Sequence, residues 1–319
     1  MFAIENLKLN YPVVLAPMSG VSDLPFRSLN RKFGCELAFV EMINVRSLCY
    51  RTKKTMQMLA TDAADRPLGI QLIGHEPEYI SRAVEILNEM DYDLLDFNAA
   101  CPAKKLALKG SGAGMMKTPD LLEESLRRMI KYSKVPVTVK IRAGWDNNSR
   151  NAVEIARQCA DAGIAALFIH GRTRDQGYRG SVDYDLIRDV KKALRIPVIA
   201  SGDIWSAAWT KKMFDETGCD GVAVARGSLG NPWIFREIQT IFRSGPLLPL
   251  PAPDEIGKTI LDHARRNVRH YGADIGVIRF RKFLGWYIKD LPGARFLRDQ
   301  AFRVKTYEEL EKFLEKIIG

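Results

Sequence analysis

Long apolar runs are absent from this 319-residue sequence, and none approaches the roughly 20 residues that a membrane-spanning helix needs. The first eleven residues include Glu5 and Lys8 and lack the apolar core of a signal peptide. The five cysteines are scattered and form no CxxC pair, which argues against both a zinc site and a disulfide framework. We therefore expect a cytoplasmic protein with no bound metal and no membrane partner.

Glycine and proline are not enriched, and no low-complexity tract interrupts the chain. This composition excludes a fibrous or disordered protein. Acidic residues are outnumbered, since 48 Lys and Arg stand against 38 Asp and Glu and give a formal net charge of +10. The excess favours an anionic partner, with nucleic acid ahead of a membrane because no basic amphipathic anchor is present. No obligate protein partner is evident.

Eight short apolar runs alternate with eight amphipathic segments of helical length. Such runs are typical of parallel strands that are buried on both faces. An open, doubly wound sheet is less favoured because no GxGxxG follows the first run. Eight strand–helix units over about 240 residues predict an α/β protein with a (β/α)8 barrel. The runs end in polar or special residues at Pro17, Glu41, Gln71, Asn98, Lys140, His170, Ser201 and Arg226.

The composition changes after Phe242. We predict a catalytic barrel over 1–243, a proline-rich linker over 244–253 and a small helical bundle over 254–319. Between Asp262 and Lys305, eleven Lys or Arg stand against four Asp, and His270, Tyr271, Trp286 and Tyr287 are interleaved with them. This pattern favours RNA binding through phosphate contacts and base stacking. The alternative is a solvated helical face whose aromatic residues belong to a core.

Cys101 follows the fourth apolar run, at the end of a parallel strand where ligands bind in α/β folds. Most free cysteines are inert, so this position is what makes the thiol a candidate for chemistry. The loops at 201–203 and 225–227 predict a phosphate site, which leaves FMN, pyridoxal phosphate and a sugar phosphate open. Lys140 suits an anionic cofactor edge, and His170 is interpreted as a hydrogen-bond donor rather than a core histidine.

Several blocks of the sequence together resemble the dihydrouridine synthase family, in particular its bacterial B-type branch. The resemblance starts near residue 10 and runs to the helical tail. It is carried by residues 14–27, 96–105, 140–145, 170–178, 201–204, 225–227 and 230–235, which follow the order of the family's motifs.

The resemblance implies FMN-dependent reduction of the C5–C6 double bond of selected uridines in tRNA, with NADPH as reductant and NADH open as an alternative. It implies that Cys101 is the general acid and that Asn98 contacts the uracil. We also assign Lys104, Arg142 and Arg172 to substrate binding. The positions implied for FMN binding are Pro17, Met18, Ser19, Gln71, Lys140, His170, Ser201, Gly202, Asp203, Ala225 and Arg226.

Chemical reasoning is consistent with this assignment. Reduction of uracil needs a hydride at C6 and a proton at C5, and a thiol with a pKa of about 8.5 is mostly protonated at neutral pH. Residues 110–114, next to three lysines, are expected to form a mobile loop that closes over the substrate. Ribosomal RNA as substrate, a flavin barrel acting on a small pyrimidine, and a non-catalytic RNA chaperone remain the alternatives.

Overall fold

The computed structural model describes residues 2–243, 245 and 248–318. The chain begins with an antiparallel hairpin of β1 (Phe2–Ile4) and β2 (Leu7–Leu9). Eight further strands follow, each parallel to its neighbours. They are β3 (Val13–Leu15), β4 (Leu37–Asn44), β5 (Leu68–Ile73), β6 (Leu94–Asn98), β7 (Val137–Arg142), β8 (Ala166–His170), β9 (Val198–Ser201) and β10 (Gly221–Val224). The order β10-β3-β4-β5-β6-β7-β8-β9 closes on itself, so the predicted eight-stranded barrel is confirmed.

At least one helix follows each barrel strand, as the alternating pattern predicted. These helices are α1 (Leu24–Lys32), α2 (Val45–Cys49), α3 (Lys53–Met58), α4 (Pro77–Leu87), α5 (Lys104–Ala107), α6 (Pro119–Tyr132), α7 (Ala152–Asp161), α8 (Tyr184–Ala193), α9 (Ala207–Thr217) and α10 (Ile234–Phe242). Local sequence fixes their ends: the side chains of Asp23, Asp183 and Ser206 cap α1, α8 and α9 by accepting backbone N–H bonds.

The second barrel strand is longer than the sequence predicted. Glu41 was taken as its end, but β4 continues to Asn44, which caps α2. The register against β5 shifts between Phe39 and Met42, which indicates a bulge at this point. The bulge allows a polar residue to stand within the strand. Glu41 therefore lies inside β4 and not at its end.

The barrel interior is filled by apolar side chains and closed from below by the N-terminal hairpin. Phe2, Ile4 and Leu9 of the hairpin belong to the same buried cluster as Phe39 and Phe168, whose rings meet edge to face at 5.7 Å. The barrel is therefore solid beneath its upper face. A ligand that enters the barrel therefore has to do so at the carboxyl ends of the strands.

Four helices form the tail, within the range that the sequence indicated. They are α11 (Pro253–Tyr271), α12 (Ala273–Tyr287), α13 (Ala294–Ala301) and α14 (Tyr307–Ile318). Three residues of the predicted linker, Ser244, Pro246 and Leu247, lie outside the described residues. The division at 243 and 254 stays a prediction. No helix among the described residues is long and apolar enough to cross a membrane.

The tail packs directly on the first strand–helix unit of the barrel. The Phe283 ring stacks on Phe26 at 5.5 Å, and His263 lies 4.5 Å from Phe283. The hydroxyl of Tyr271 donates to Asp23 at 2.9 Å. Because Phe26 and Phe283 are each no more than 2% exposed, removal of the tail would uncover a large aromatic surface.

Candidate active site

A cavity of about 600 Å³ opens at the carboxyl ends of the barrel strands. This face carries the active site in essentially every characterised enzyme with a (β/α)8 barrel. Thirteen of the sixteen predicted site residues line it, contributed by loops that are far apart in sequence. They are Pro17, Met18, Ser19, Asn98, Cys101, Lys140, Arg142, His170, Ser201, Gly202, Asp203, Ala225 and Arg226.

Cys101 is partly exposed in the loop after β6 and lines this cavity. Its backbone is held from two sides, since its N–H donates to Asn98 Oδ1 at 2.7 Å and its carbonyl accepts from the Ala113 N–H at 3.1 Å. Gly112 permits this approach, because its φ is +57° and a Cβ there would lie 2.8 Å from that of Cys101. The loop therefore fixes where the thiol can reach.

The other four cysteines are buried away from the cavity. Burial raises the pKa of the Cys35 and Cys159 thiols to about 12 and that of Cys219 to about 11. A thiol that stays protonated in an apolar setting is chemically inert. Among the residues that the structure describes, Cys101 is the one cysteine placed to react with a ligand in the cavity.

Arg142 is 2% exposed and ties the Cys101 loop to the loop after β8. Its Nε donates to the Ala100 carbonyl at 2.6 Å, and its Nη1 donates to the carbonyls of Thr173 and Gly177, both at 2.9 Å. A guanidinium bonded in this way stiffens two loops at once. Its predicted role in substrate binding stays a prediction.

A chain of buried side-chain hydrogen bonds runs from the barrel interior to Cys101. Asp96 accepts from Gln71 Nε2 at 2.6 Å and from Thr138 Oγ1 at 2.7 Å. Gln71 Oε1 then accepts from Asn98 Nδ2 at 2.7 Å, which leaves Asn98 Oδ1 facing the Cys101 N–H. The Asp96 carboxylate, which can only accept, thus determines the orientation of the Gln71 and Asn98 amides above it.

Burial raises the pKa of Asp96 to about 6, while the hydrogen bonds from Gln71 and Thr138 and the nearby charge of Lys140 oppose that rise. Lys140 lies above it on the next strand, with its Nζ donating to Ser201 Oγ at 2.9 Å. Burial and the neighbouring Arg142 lower the pKa of Lys140 to about 7. Lys140 can therefore be charged or neutral close to neutral pH, and a bound ligand can favour either form.

His170 is 8% exposed at the end of β8, and its Nδ1 has no hydrogen-bond partner among the described residues. Burial and four nearby cations hold its pKa well below the ordinary value, so the ring is neutral. A neutral imidazole has one donor and one acceptor nitrogen. An unpartnered, nearly buried nitrogen beside the cavity is the expected mark of a site that a polar ligand completes.

Asp203 joins two arginines at the opposite rim. It accepts two hydrogen bonds from Arg172 and one, at 3.1 Å, from Arg226. Two guanidinium groups against one carboxylate leave a net positive charge here. The Arg226 guanidinium also lies 4.4 Å from the ring centroid of Tyr178 and 4.9 Å from that of Trp205, which hold it beside the cavity. This rim suits an anionic group such as a phosphate.

The sequence profile of the family described as Dihydrouridine synthase (Dus) matches residues 14–318. The chain belongs to the dihydrouridine synthase family. The tRNA-dihydrouridine synthase B of Pseudomonas aeruginosa is 38% identical over 293 residues, which are 92% of this chain and 88% of that protein. The protein of the same name from Xanthomonas campestris pv. campestris is 40% identical over 296 residues, covering 93% and 89%.

Solved structures agree with the barrel architecture. Morphinone reductase in complex with tetrahydroNAD superposes with a TM-score of 0.55 at 14% identity, over 79% of this chain and 92% of that one. Histamine dehydrogenase from Rhizobium sp. 4-9 superposes with a TM-score of 0.57 at 10% identity, over 80% of this chain and 49% of that one. These similarities concern the fold. The family itself makes this dihydrouridine synthase a flavin-dependent oxidoreductase.

Three predicted site residues of this dihydrouridine synthase do not line the cavity. Gln71 lies one layer beneath it, fully buried between Asp96 and Asn98. Arg172 is 2% exposed and acts on the cavity through Asp203. Lys104 is exposed on α5, directly after Ala103, which does line the cavity. Their assignments to cofactor and substrate stay predictions.

The expected closing loop at 110–114 is not supported by the structure. Residues 111–114 are buried, and a 3-10 helix starts at Gly112 and ends at Lys117. The segment packs against the Cys101 loop rather than standing free over the cavity. Glycines here serve close packing, which the sequence could not distinguish from the flexibility that a lid needs.

The aromatic residues of the tail also differ from the stacking role that was predicted. Tyr271 bonds to Asp23, and Trp286 packs edge to face on Phe283 at 5.4 Å. Tyr271 thereby joins the tail to the barrel, while Trp286 packs on a ring of its own helix, α12, as the core alternative described. Conversely, sequence reasoning missed Trp205, which lines the cavity beside Arg226. Its place two residues after the phosphate loop at 201–203 was the available signal.

Proposed function

We propose that this dihydrouridine synthase reduces the C5–C6 double bond of uridines in tRNA, with FMN bound in the cavity and NADPH as reductant. The observation that carries this proposal is the placement of Cys101 on the wall of a cavity that also presents Lys140, His170 and Arg226. The tRNA substrate is supported by the names of the relatives and by the basic tail. The reducing nucleotide rests on the resemblance alone.

The cavity fits a flavin mononucleotide in three respects. Its volume of about 600 Å³ is in the range of small-molecule sites. The rim at Gly202-Asp203 and Ala225-Arg226 carries the net positive charge that a phosphate needs. The unpartnered His170 nitrogen and the Lys140 amine offer polar contacts to a heterocycle with several carbonyl and nitrogen atoms. When bound, FMN supplies the hydride for C6 of the uracil.

The protein's own residues supply the remaining steps. The Cys101 thiol donates its proton to C5, and the resulting thiolate recovers a proton from solvent. Asn98 fixes the thiol loop through two N–H bonds, from Ala100 at 3.0 Å and from Cys101 at 2.7 Å. Arg142 prevents that loop from moving away. The target uridine must leave its stack to reach the barrel mouth, which costs a few kcal/mol that phosphate contacts can offset.

The basic tail retains a positive excess in the folded chain. Of its eleven Lys and Arg between 262 and 305, only three form ion pairs within the described residues, Arg266, Lys289 and Arg303. Arg279 and Lys282 reach the same edge of the barrel as Ser19, near the candidate active site. A polyanion can therefore contact the tail while one of its nucleotides enters the cavity.

The proposed function is tested with the purified full chain, FMN and unmodified tRNA transcripts, with NADPH or NADH as reductant. We expect dihydrouridine to form in a one-to-one ratio with NADPH consumed, measured by nucleoside mass spectrometry and by absorbance. Ribosomal RNA fragments and free uracil are the comparison substrates. Faster turnover of either one than of tRNA would contradict the proposal and favour the corresponding alternative.

FMN affinity is expected to depend on pH through Lys140. Its pKa of about 7 means that the amine is neutral above that pH in the ligand-free protein. An anionic ligand favours the charged form, so binding takes up a proton. Affinity should then fall as the pH rises above 7, by at most about tenfold per pH unit for one linked proton. His170 does not contribute there, because burial keeps its pKa well below the ordinary value.

Fluorescence titration of FMN between pH 6 and 9 measures this dependence. Lys140→Met should bind FMN more weakly at pH 6 and show a flat profile above pH 7. Lys140→Arg keeps the charge throughout and should also be flat, but at higher affinity than Lys140→Met. A wild-type profile that stays level across pH 7 would remove Lys140 from contact with the bound cofactor.

A further inference from the structure

A second cavity, of about 510 Å³, lies between the barrel and the tail. Ser19 and Met42 line both this cavity and the candidate active site, so the two are adjacent. None of the predicted site residues except Ser19 lines the second cavity. We call it the interdomain cavity, and its walls come from the loop after β3, the end of β4, the following α2–α3 segment and the tail.

Glu41 gives the barrel side of the interdomain cavity a nearly buried hydrogen-bond acceptor. It is 9% exposed, and its Oε2 accepts from the Gly20 N–H. Its other carboxylate oxygen has no hydrogen-bond partner among the residues that the structure describes. Burial raises the pKa of this carboxyl, and the Gly20 N–H together with Lys282 and Lys54 opposes that rise. Because Glu41 lines the cavity, this oxygen is available to accept a hydrogen bond from a ligand there.

The tail side of the interdomain cavity is basic. The Lys282 ammonium donates to the Gly20 carbonyl, opposite the Gly20 N–H that Glu41 binds. The exposed Arg279 guanidinium lies 4.2 Å from the ring centroid of Tyr271, which holds it at the rim. No carboxylate pairs with Arg279 among the described ion pairs. The cavity therefore presents an acceptor inside and cations at its mouth.

We propose that the interdomain cavity binds a nucleotide directly adjacent to the target uridine in the RNA. The base enters and donates an N–H group to Glu41, while its phosphate pairs with Arg279 and Lys282. Carboxylates recognise the amino groups of bases, and lysine and arginine bind phosphates. Adjacency follows from the shared Ser19 and Met42, since neighbouring nucleotides of an unstacked strand need neighbouring sites. This inference rests on the proposed function and adds a second site to it.

The test uses the full chain loaded with FMN and tRNA transcripts in which one nucleotide beside the target uridine is abasic. One transcript carries the gap on the 5′ side and another on the 3′ side. For one of them, wild-type kcat/KM should fall by about 5- to 150-fold relative to the intact RNA, the range of one base-edge contact. The ratio of intact to abasic kcat/KM is the quantity compared between variants.

Glu41→Gln is the decisive variant. One amide oxygen can still accept from Gly20, while the NH₂ group replaces the free acceptor in the cavity. For this variant, the ratio of intact to abasic kcat/KM should drop towards one. Because both RNAs are measured on the same variant, any general effect of the substitution on the flavin cancels in the ratio. Arg279→Ala should raise KM for intact RNA more than Arg295→Ala, which removes an exposed tail arginine far from the cavity. Both arginine variants retain Glu41, so they test the phosphate contact even if Glu41→Gln loses FMN.

Three outcomes overturn the proposal. If wild type reduces both abasic RNAs as well as the intact one, the cavity binds no neighbouring base, although the proposed function stands because dihydrouridine still forms. If Glu41→Gln keeps the wild-type ratio but raises KM for NADPH, the cavity belongs to the reductant. If Arg279→Ala and Arg295→Ala behave alike, no phosphate sits at the cavity mouth. A wild type that forms no dihydrouridine from any RNA would instead refute the proposed function.

Discussion

Cys101→Ala is expected to slow the transfer of reducing equivalents to RNA by about 10²–10⁴-fold, the loss typical of a missing general acid. Reduction of the bound flavin by NADPH should stay near its normal rate, because no proton from the substrate side is needed in that step. FMN binding should also survive, since Cys101 is partly exposed and is one small side chain among many that line the cavity.

Stopped-flow absorbance of the flavin separates the two half-reactions. Cys101→Ser should also be slow with RNA, because an alcohol has a far higher pKa than a thiol and donates a proton poorly at neutral pH. Cys159→Ala is a matched control, because that thiol is 1% exposed and packed away from the cavity. Slow reduction by NADPH together with normal reoxidation by RNA in Cys101→Ala would place the thiol on the cofactor side.

Asp96→Leu is expected to lower kcat with RNA by about 10²-fold, the cost of misplacing a catalytic group by roughly an ångström. Asp96 touches neither Cys101 nor the cavity, so it is a positioning residue. Without its acceptor oxygens, Gln71 and Thr138 lose a buried partner, and the amide of Gln71 can turn over. Asn98 then loses the bond that presents its oxygen to the Cys101 N–H.

Asp96→Asn separates geometry from charge. Its amide oxygen can still accept from Gln71 Nε2, so kcat should recover towards wild type. The lost negative charge should lower the pKa of Lys140 further, because Asp96 is the group that raises it. The pH above which FMN affinity declines should therefore move down in Asp96→Asn. Equal loss of kcat in the leucine and asparagine variants would show that charge, rather than the amide chain, is what the site needs.

The barrel could be predicted from sequence because its strands are continuous apolar runs with polar ends. The same polar ends located the cavity, since parallel strands bring their carboxyl termini to one face. Residues such as Lys140 and His170, separated by 30 positions, were thereby placed together without any coordinates. The pattern of apolar runs was enough to predict the position of a side chain wherever that position follows from its strand.

The failures arose where position depends on contacts between loops or between domains. Glu41 was misplaced because a bulge lets β4 continue past a charged residue. Residues 110–114 looked flexible, but Gly112 and Gly114 are needed for close packing on Cys101 and Ala107. Tyr271 and Trp286 looked like stacking platforms, but Tyr271 bonds the tail to the barrel and Trp286 packs on Phe283 within α12. Composition gives no information on whether an aromatic ring faces a base or a phenylalanine.

Barrel closure also has a consequence for the timing of biosynthesis. Val13–Leu15 completes its hydrogen bonding only when it pairs with 222–224, and Phe26 packs against His263 and Phe283 of the tail. At about 5–20 residues per second, roughly 10–40 s separate the synthesis of these two strands. During that interval the nascent first unit carries an unpaired strand edge and an uncovered aromatic surface. We therefore expect the amino-terminal part of the chain to need shielding by a chaperone while the ribosome completes the rest.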